Sequence, residues 1–214
     1  MKELAPGLDQ LRGFPPNAVN VYVAGDVLID AATRLDGWHL KRQLQDRPLA
    51  LLALTHAHPD HQGSAKAICE ARHIPLACHS GDVEAMEGGF PSGMKGKAAA
   101  AAISGPAYPV SRVLADGDEI GEFRVIHAPG HSAGHVIYFR DSDRVAISGD
   151  VLRTMNLLTM IPQIGEMPKA FITDLDQSHA SIKLLAELNP TLVCPGHGPP
   201  LRDIAKLEAF AAKF

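Results

Sequence analysis

Short apolar segments separated by turn residues follow one another through the chain and predict a sheet-rich fold. The segment Leu49–Thr55 is almost continuously apolar, which is typical of a strand buried on both faces. Residues Ala18–Ala24 and Asp26–Asp30 predict a hairpin that turns near Gly25. Further strands are predicted at Ile74–Cys78, Arg112–Ala115, Glu119–His127, Val136–Arg140, Arg144–Ser148 and Thr191–Cys194.

Segments with helical periodicity alternate with these strands. They are Leu35–Asp46, His61–His73, Pro168–Leu188 and Leu201–Phe214. Pro59 is suited to open the second of these helices. The Ala-rich segment Lys97–Ile103 also favours helix, within residues 92–109, where the pattern is least informative. Each half of the chain then runs from strands to helices, with the second half starting near Arg112. We therefore expect an α/β fold of two sheets covered by helices.

Composition and charge narrow the class of protein. The chain has 214 residues, of which 46% are hydrophobic and 21% charged, and we expect residues 1–214 to form a single domain. The net charge of −4, without a long run of Lys or Arg, argues against a nucleic-acid partner. No apolar segment is long enough to span a membrane, and the first residues lack an apolar signal region. These features predict a cytoplasmic protein with a small-molecule substrate.

The three cysteines, Cys69, Cys78 and Cys194, do not predict a disulfide framework. Their odd number and irregular spacing are typical of a reducing compartment. Cys194 lies three residues before His197, so its thiolate is a candidate soft metal ligand. Because it also ends a predicted buried strand, core packing is the favoured role for Cys194.

Metal-ligating side chains are concentrated directly after the predicted strand Leu49–Thr55. Three imidazoles and one carboxylate occur within the six residues from His56 to His61, and both kinds of side chain bind zinc and related ions. Open α/β sheets usually place their sites at such strand ends. Three later segments carry further His and Asp side chains: Ala128–His135, Ser148–Asp150 and Cys194–Gly198.

The order and residue pattern of these segments resemble the motifs of the metallo-β-lactamase superfamily of hydrolases. Its motifs are His-x-His-x-Asp-His, a Pro-Gly-His turn, an Asp after a strand and a second Pro-Gly-His turn, all found here between residues 56 and 197. The opening Asn20–Val23, followed by Leu28–Asp30, is similar to the family as well. The resemblance implies the family's four-layer αβ/βα sandwich of two mixed β-sheets. The intact Asp60-His61 pair and both turns are most similar to the glyoxalase II-like and lactonase branches.

The resemblance also implies a ligand for every metal-binding position of the family. The first metal would be held by His56, His58 and His131, and the second by Asp60, His61 and His197. Asp150 would bridge the two ions, where a carboxylate reduces the repulsion between two dications. We expect two Zn²⁺, although iron and manganese accept similar ligands. Asp60 is in addition a candidate catalytic residue that orients a hydroxide and shuttles its proton.

Two more side chains are candidates for supporting roles behind the ligands. His135 lies four residues after His131 and either donates a hydrogen bond to the site or packs as a core histidine. Asp30, at a strand end, is expected to make a structural hydrogen bond behind the metals. The remaining histidines are not assigned to the site: His39, His73, His79, His127 and His179.

A dinuclear zinc centre with a bridging hydroxide would cleave a small ester, lactone or thioester. Residues 151–162 are apolar and contain methionine, so they are candidates for contacting an acyl group, for core packing or for a homodimer contact. Arg153 is a candidate carboxylate clamp. Glyoxalase II-type enzymes hold glutathione with a longer C-terminal helical region, whereas about one helix follows His197 here, which disfavours a glutathione thioester.

Other activities remain open on the same fold. Persulfide dioxygenases share these motifs but use a single iron, which would make the protein an oxidoreductase. A phosphodiesterase or nuclease is disfavoured because the sequence has no basic arm. A non-catalytic binding module is disfavoured because every ligand position of the family is filled. β-Lactam hydrolysis is favoured neither by the sequence of the motifs nor by the predicted compartment.

Overall fold

The computed structural model of the protein describes residues 1–88 and 103–214. Within them, a seven-stranded sheet pairs its strands in chain order. Antiparallel pairing joins the first four strands, and parallel pairing joins the last four. The strands are β1 (Lys2–Ala5), β2 (Leu8–Gln10), β3 (Tyr22–Ala24), β4 (Val27–Ile29), β5 (Leu51–Ala53), β6 (Leu76–His79) and β7 (Arg112–Leu114).

A second sheet of five strands has the order β14-β11-β10-β9-β8. Only its β11–β14 pair is parallel, and a separate two-stranded hairpin, β12–β13, follows β11. The strands of this half are β8 (Glu119–Ile120), β9 (Phe123–His127), β10 (Val136–Arg140), β11 (Val145–Gly149), β12 (Arg153–Met155), β13 (Pro162–Gly165) and β14 (Leu192–Pro195).

Six α-helices lie among the described residues. They are α1 (Gly37–Leu44), α2 (Pro59–Gln62), α3 (Ala65–Arg72), α4 (Val83–Gly88), α5 (Leu175–Glu187) and α6 (Ile204–Ala211). Helix α5 begins at Leu175 because the Asp174 carboxylate accepts a hydrogen bond from the Gln177 amide. None of the helices in these ranges has the length and apolar character needed to cross a bilayer.

The strands bury side chains on both faces, and this produces the layers of the fold. Tyr22 and Tyr138, from the two sheets, meet in one core between the sheets. Their neighbours Val23 and Ile137 point the opposite way, into separate cores beneath the helices. Helices α1, α3 and α4 cover the first sheet, and α5 and α6 cover the second. The predicted four-layer sandwich of two mixed sheets is therefore confirmed, whereas the assignment of residues 1–214 to one domain stays a prediction.

Two strand predictions need correction. The strand at Arg112–Leu114 pairs in parallel with β6, so it completes the first sheet and does not open the second half. The predicted strand Glu119–His127 is interrupted at Gly121, whose φ of +58° lets the chain turn back, so that β8 and β9 form a hairpin. The β1–β2 and β12–β13 hairpins were not predicted, because their strands are only three or four residues long.

Two helix predictions are also wrong in extent. The helix predicted over His61–His73 is interrupted at Gly63, where a Cβ atom would lie 2.3 Å from the backbone nitrogen of Arg34. The long helix predicted from Pro168 begins at Leu175, because a short 3₁₀ turn and the Asp174 cap precede it. The helix predicted at Lys97–Ile103 lies outside the described residues, apart from Ile103.

The strand ends bring the motif segments together. His56 follows β5, and Asp150 and His197 follow the parallel strands β11 and β14. His131 comes shortly after β9, in the connection to β10. All four segments therefore reach the same edge of the sandwich, where the two sheets meet.

Candidate metal centre

The structure brings all seven predicted ligands to one place. Ligand atoms lie within 4.8 Å of one another in three groups of side chains. These groups are His56 with His58 and His131, His56 with His61 and Asp150, and Asp60 with His61 and His197. The first and third groups coincide with the two predicted ligand sets. Their roles as ligands stay predictions.

Asp150 lies at the centre of the cluster. Its Oδ2 atom is 3.3 Å from His197 Nε2, 3.4 Å from His131 Nε2, 3.5 Å from His61 Nε2 and 3.9 Å from His56 Nε2. Asp60 Oδ2 is farther out, 3.2 Å from His197 Nε2. The side chain of Asp150 is 2% exposed, compared with 27% for Asp60. This arrangement suits Asp150 as a bridge and Asp60 as the carboxylate that faces the opening.

The chemistry of the donors fits a pair of cations. Among the residues that the structure describes, His61 Nε2 and Asp150 Oδ1 are buried atoms without a hydrogen-bond partner, and such atoms are costly unless something binds them. His56 and His131 face each other with their Nε2 atoms 3.1 Å apart. Burial lowers the pKa of both imidazoles well below its usual value, so both are neutral and able to coordinate. Imidazoles and carboxylates together suit zinc, iron or manganese.

Two other histidines of the cluster, His61 and His197, have the opposite protonation. Burial lowers the pKa of His197, but Asp150 and Asp60 outweigh that effect and raise it to about 10. The pKa of His61 is likewise raised, because Asp150 and Asp30 outweigh its burial. In return, His61 and His197 hold the pKa of Asp60 below its usual value, against the effect of burial. Without metal, the cluster therefore balances its carboxylates with imidazolium protons.

These raised pKa values predict that metal binding releases protons. Below the pKa of about 10 at His197, a cation must displace the imidazolium proton, so apparent affinity should fall as the pH falls. An unperturbed histidine would release only a fraction of a proton at pH 7. We expect isothermal titration calorimetry of a metal ion into the metal-free protein to show at least one proton released per chain. The measurement is made at pH 7 in buffers of different ionisation enthalpy. His197→Ala should reduce that number by about one, and an unchanged number would contradict the assignment.

Asp30 lies behind the cluster, as predicted. Its carboxylate accepts hydrogen bonds from the Thr55 amide, the Thr55 hydroxyl and His61 Nδ1, each 2.8 Å long. A carboxylate in this position fixes the ring orientation and leaves Nε2 free to point into the cluster. Thr55 Oγ1 is also 3.1 Å from His56 Nδ1. Asp30 and Thr55 therefore orient one ring from each ligand set, and the role of Thr55 was not predicted.

His135 contacts the cluster through Asp150. Its Nε2 atom accepts a hydrogen bond of 3.0 Å from the Asp150 amide, and burial lowers the pKa of His135 to about 3. A neutral ring with Nε2 as acceptor carries its proton on Nδ1. The hydrogen bond favours a supporting role over simple core packing, although His135 acts as the acceptor and not as the predicted donor.

Sequence reasoning missed Asp82 and Gly196. Asp82 is 1% exposed and accepts hydrogen bonds from two loops, one that carries His56 and one that carries His131. Gly196 approaches the cluster so closely that a Cβ atom would lie 2.1 Å from Asp150 Oδ1. The Pro-Gly-His turn at residues 195–197 is a sequence signal for the second feature. No motif marks Asp82.

Side chains left out of the predicted site also lie outside the three ligand groups. His79 and His127 stack on each other, with ring centroids 4.1 Å apart. Cys194 packs in the core between the sheets, where burial raises its pKa. The Arg153 guanidinium donates to the carbonyls of Glu166 and Met155, so it holds the β12–β13 hairpin and does not line the cavity beside the cluster.

A cavity of about 120 Å³ opens beside the cluster. His58, Asp60, His131, Asp150 and His197 form its polar side. Its other walls are the side chains of Pro59, Ile103, Leu157, Met167 and Phe171. The side chains of the apolar segment that follows Asp150 therefore lie in three different environments. Val151, Leu152 and Met155 are buried, Leu157 lines the cavity, and Leu158 is 91% exposed.

Comparisons with known proteins agree with this geometry. The chain is 28% identical over 200 residues to the probable metallo-hydrolase YflN of Bacillus subtilis, covering 82% of this chain and 76% of that protein. It is also 28% identical over 185 residues to a hydroxyacylglutathione hydrolase of Halorhodospira halophila, covering 82% of this chain but only 56% of the relative.

A solved structure shows the same fold, and a family model covers the cluster. The crystal structure of TTHA1623 in a di-iron-bound form is 30% identical and superposes with a TM-score of 0.63, covering 96% of this chain and 94% of that one. Residues 14–197, which include every residue of the cluster, match the family model described as Metallo-beta-lactamase superfamily. The chain therefore belongs to the metallo-beta-lactamase superfamily of metal-binding hydrolases.

Proposed function

We propose that the protein is a dinuclear metal-dependent hydrolase that cleaves a small ester, lactone or thioester bearing an apolar group. One observation carries the proposal: Asp150 Oδ2 lies within 3.5 Å of imidazoles from both predicted ligand sets, beside a cavity whose far walls are apolar. Polar groups on one side suit a reacting carbonyl, and Leu157, Met167 and Phe171 suit an acyl chain on the other. The hydroxyacylglutathione hydrolase relative supports carbonyl chemistry.

The residues of the cluster have different roles in the proposed reaction. The two predicted ligand sets would hold one dication each, and the chemistry supplied there would be a lowered pKa of bound water and polarisation of the substrate carbonyl. Asp150, held by four surrounding imidazoles, fixes the geometry of both ligand groups. Asp60 is more exposed to the cavity and carries a pKa below its usual value. Its carboxylate is therefore ionised and lies beside the cavity, where it is placed to orient the attacking water and to pass one of its protons to the leaving group.

Replacing Asp60 by asparagine tests that role. Asp60→Asn keeps an oxygen for coordination but removes the proton-accepting carboxylate. We expect kcat to fall by about 10²- to 10⁴-fold, as for loss of a general base, in protein that still holds metal. Steady-state kinetics together with metal analysis of the same sample measure both quantities. Full turnover by Asp60→Asn with both metals present would show that the proton takes another route.

Zinc is the proposed metal. The histidine-rich first group favours it, while the di-iron form of TTHA1623 supports iron as the alternative. Elemental analysis of protein purified without added metal should find close to two zinc ions per chain. One iron and no zinc, together with oxygen consumption on a persulfide, would replace the proposal by the dioxygenase alternative.

The substrate class is tested with a hydrolysis panel. Metal-loaded protein is assayed against acyl-homoserine lactones, aryl esters and acyl thioesters, each with short and longer acyl groups. We expect hydrolysis of at least one class, and its loss in His131→Ala. His127→Ala is the matched control, because His127 ends β9, four residues before His131, but lies outside the ligand groups. Cleavage of phosphodiesters and of no carbonyl compound would overturn the proposal.

A further inference from the structure

We infer that Asp82 is a positioning residue that holds the two loops of the first ligand group, His56, His58 and His131, at a fixed separation. The inference rests on the proposed metal centre. Asp82 ends a 3₁₀ turn between β6 and α4 and is not a member of the three ligand groups found among the described residues. Its effect on the centre would therefore act through the hydrogen bonds of its carboxylate.

One carboxylate joins both loops. Asp82 Oδ2 accepts hydrogen bonds from the Ala57 amide at 2.9 Å and from the Ser132 hydroxyl at 2.8 Å. Asp82 Oδ1 accepts a third from the Gly134 amide at 2.9 Å. Ala57 lies between two predicted ligands, and Ser132 directly follows a third. The three donors thus belong to segments that lie about 75 positions apart in the sequence.

The backbone around Asp82 leaves no room for another arrangement. A Cβ atom on Gly134 would lie 2.5 Å from the Asp82 amide nitrogen, and one on Gly81 would lie 2.7 Å from the Ala133 carbonyl carbon. The 3₁₀ turn therefore packs directly on the loop that follows His131. Buried carboxylates bound to several donors hold those donors firmly.

Holding the two loops in place also holds the imidazole rings of the first ligand group in place. His56 and His58 are two residues apart, so the orientation of the Ala57 peptide sets the direction of both side chains. Their rings meet that of His131 with centroid separations of 4.7 Å and 4.4 Å. Because binding groups held in place before the ion arrives bind it more tightly, loss of Asp82 should weaken the first ligand group selectively.

The test is a Co²⁺ titration of the metal-free protein, followed by absorption spectroscopy. His58→Ala and His197→Ala identify the bands of the first and second groups. Asparagine has one acceptor oxygen, so in Asp82→Asn at least one of the three donors loses its partner. We expect Co²⁺ affinity at the first group to fall about 10- to 100-fold, as for other supporting partners of ligands. Affinity at the second group, Asp60, His61 and His197, should stay within about twofold.

Two further variants make the result decisive. Ser132→Ala removes one donor and leaves two, so it should weaken the same group by less, and it decides the question if Asp82→Asn does not fold. Asp143→Asn is the control: that carboxylate binds Arg140 at the opposite end of β11, and both affinities should be unchanged. Equal weakening of both groups by Asp82→Asn and Ser132→Ala, or no weakening, would overturn the inference. Wild-type protein that binds no Co²⁺ would instead overturn the proposed metal centre itself.

Discussion

Asp150→Asn is expected to lower kcat/KM by more than about 100-fold. Loss of a hydrogen-bond partner behind a ligand already costs about 10- to 100-fold, and Asp150 approaches four imidazoles directly. Asparagine has nearly the same shape but no charge, so it would leave two bound dications without their central anion, as it would the imidazolium rings of His61 and His197 in the metal-free protein. Kinetics on the best substrate from the hydrolysis panel, with metal content measured in parallel, check the result.

The control for this variant separates loss of the centre from loss of the fold. Asp143→Asn removes a carboxylate that binds Arg140, away from the ligand groups, and should keep both metals and nearly full activity. Asp150→Asn should unfold at a temperature close to that of the metal-free wild type. If Asp150→Asn retains two metals and more than half of the wild-type activity, Asp150 does not bridge them.

Removal of metal is expected to lower the melting temperature by roughly 10 °C and to abolish hydrolysis. An ion present at about 1,000 times its dissociation constant stabilises the folded state by about 4 kcal/mol, and each kcal/mol shifts Tm by about 2–4 °C for a chain of this size. The physical reason is that the buried His61 Nε2 and Asp150 Oδ1 atoms have no hydrogen-bond partner in the described part of the chain. Calorimetry before and after dialysis against a chelator measures the shift, and added Zn²⁺ should restore it.

The same experiment has an internal control in His131→Ala. This variant lacks one ligand of the first group, so chelation should change its Tm by less than it changes that of the wild type. His127→Ala, which leaves all three groups intact, should show the full shift. Equal shifts in all three proteins would mean that the chelator removes metal from somewhere else.

The sequence predicted the candidate site better than the details of the fold. Metal-binding chemistry restricts residue type and spacing so strongly that His56 to His61 and the two Pro-Gly-His turns stood out without a structure. The structure brings those side chains together. Asp30 was also predicted, because it ends a strand at the family's position, and it does contact His61.

Contacts made by packing were not predictable in this way. Asp82 binds backbone amides of segments that only the folded chain brings together, and any polar residue at a turn gives the same local signal. The same limit explains the misplaced β7: three residues, Arg112–Leu114, carry too little pattern to tell which sheet they join. Gly63 interrupts a helical pattern because of the neighbouring chain at Arg34, which periodicity does not report.

The residues that line the cavity were only partly predictable from the sequence. Leu157 belongs to the apolar segment identified as a candidate acyl contact, whereas Phe171 comes from a segment that was predicted to be helical and Met167 directly precedes that segment. Phe171 is 40% exposed and lies at the end of a 3₁₀ turn. Part of the apolar wall of the cavity therefore belongs to short irregular segments, where sequence patterns are least informative.

The most direct measurement is a crystal structure of the zinc-loaded protein with anomalous scattering recorded on both sides of the zinc absorption edge. We predict two anomalous peaks with Asp150 between them. One peak should be bound by His56, His58 and His131, and the other by Asp60, His61 and His197. A map without peaks in this cluster, with the imidazole rings turned away from one another, would contradict the central claim.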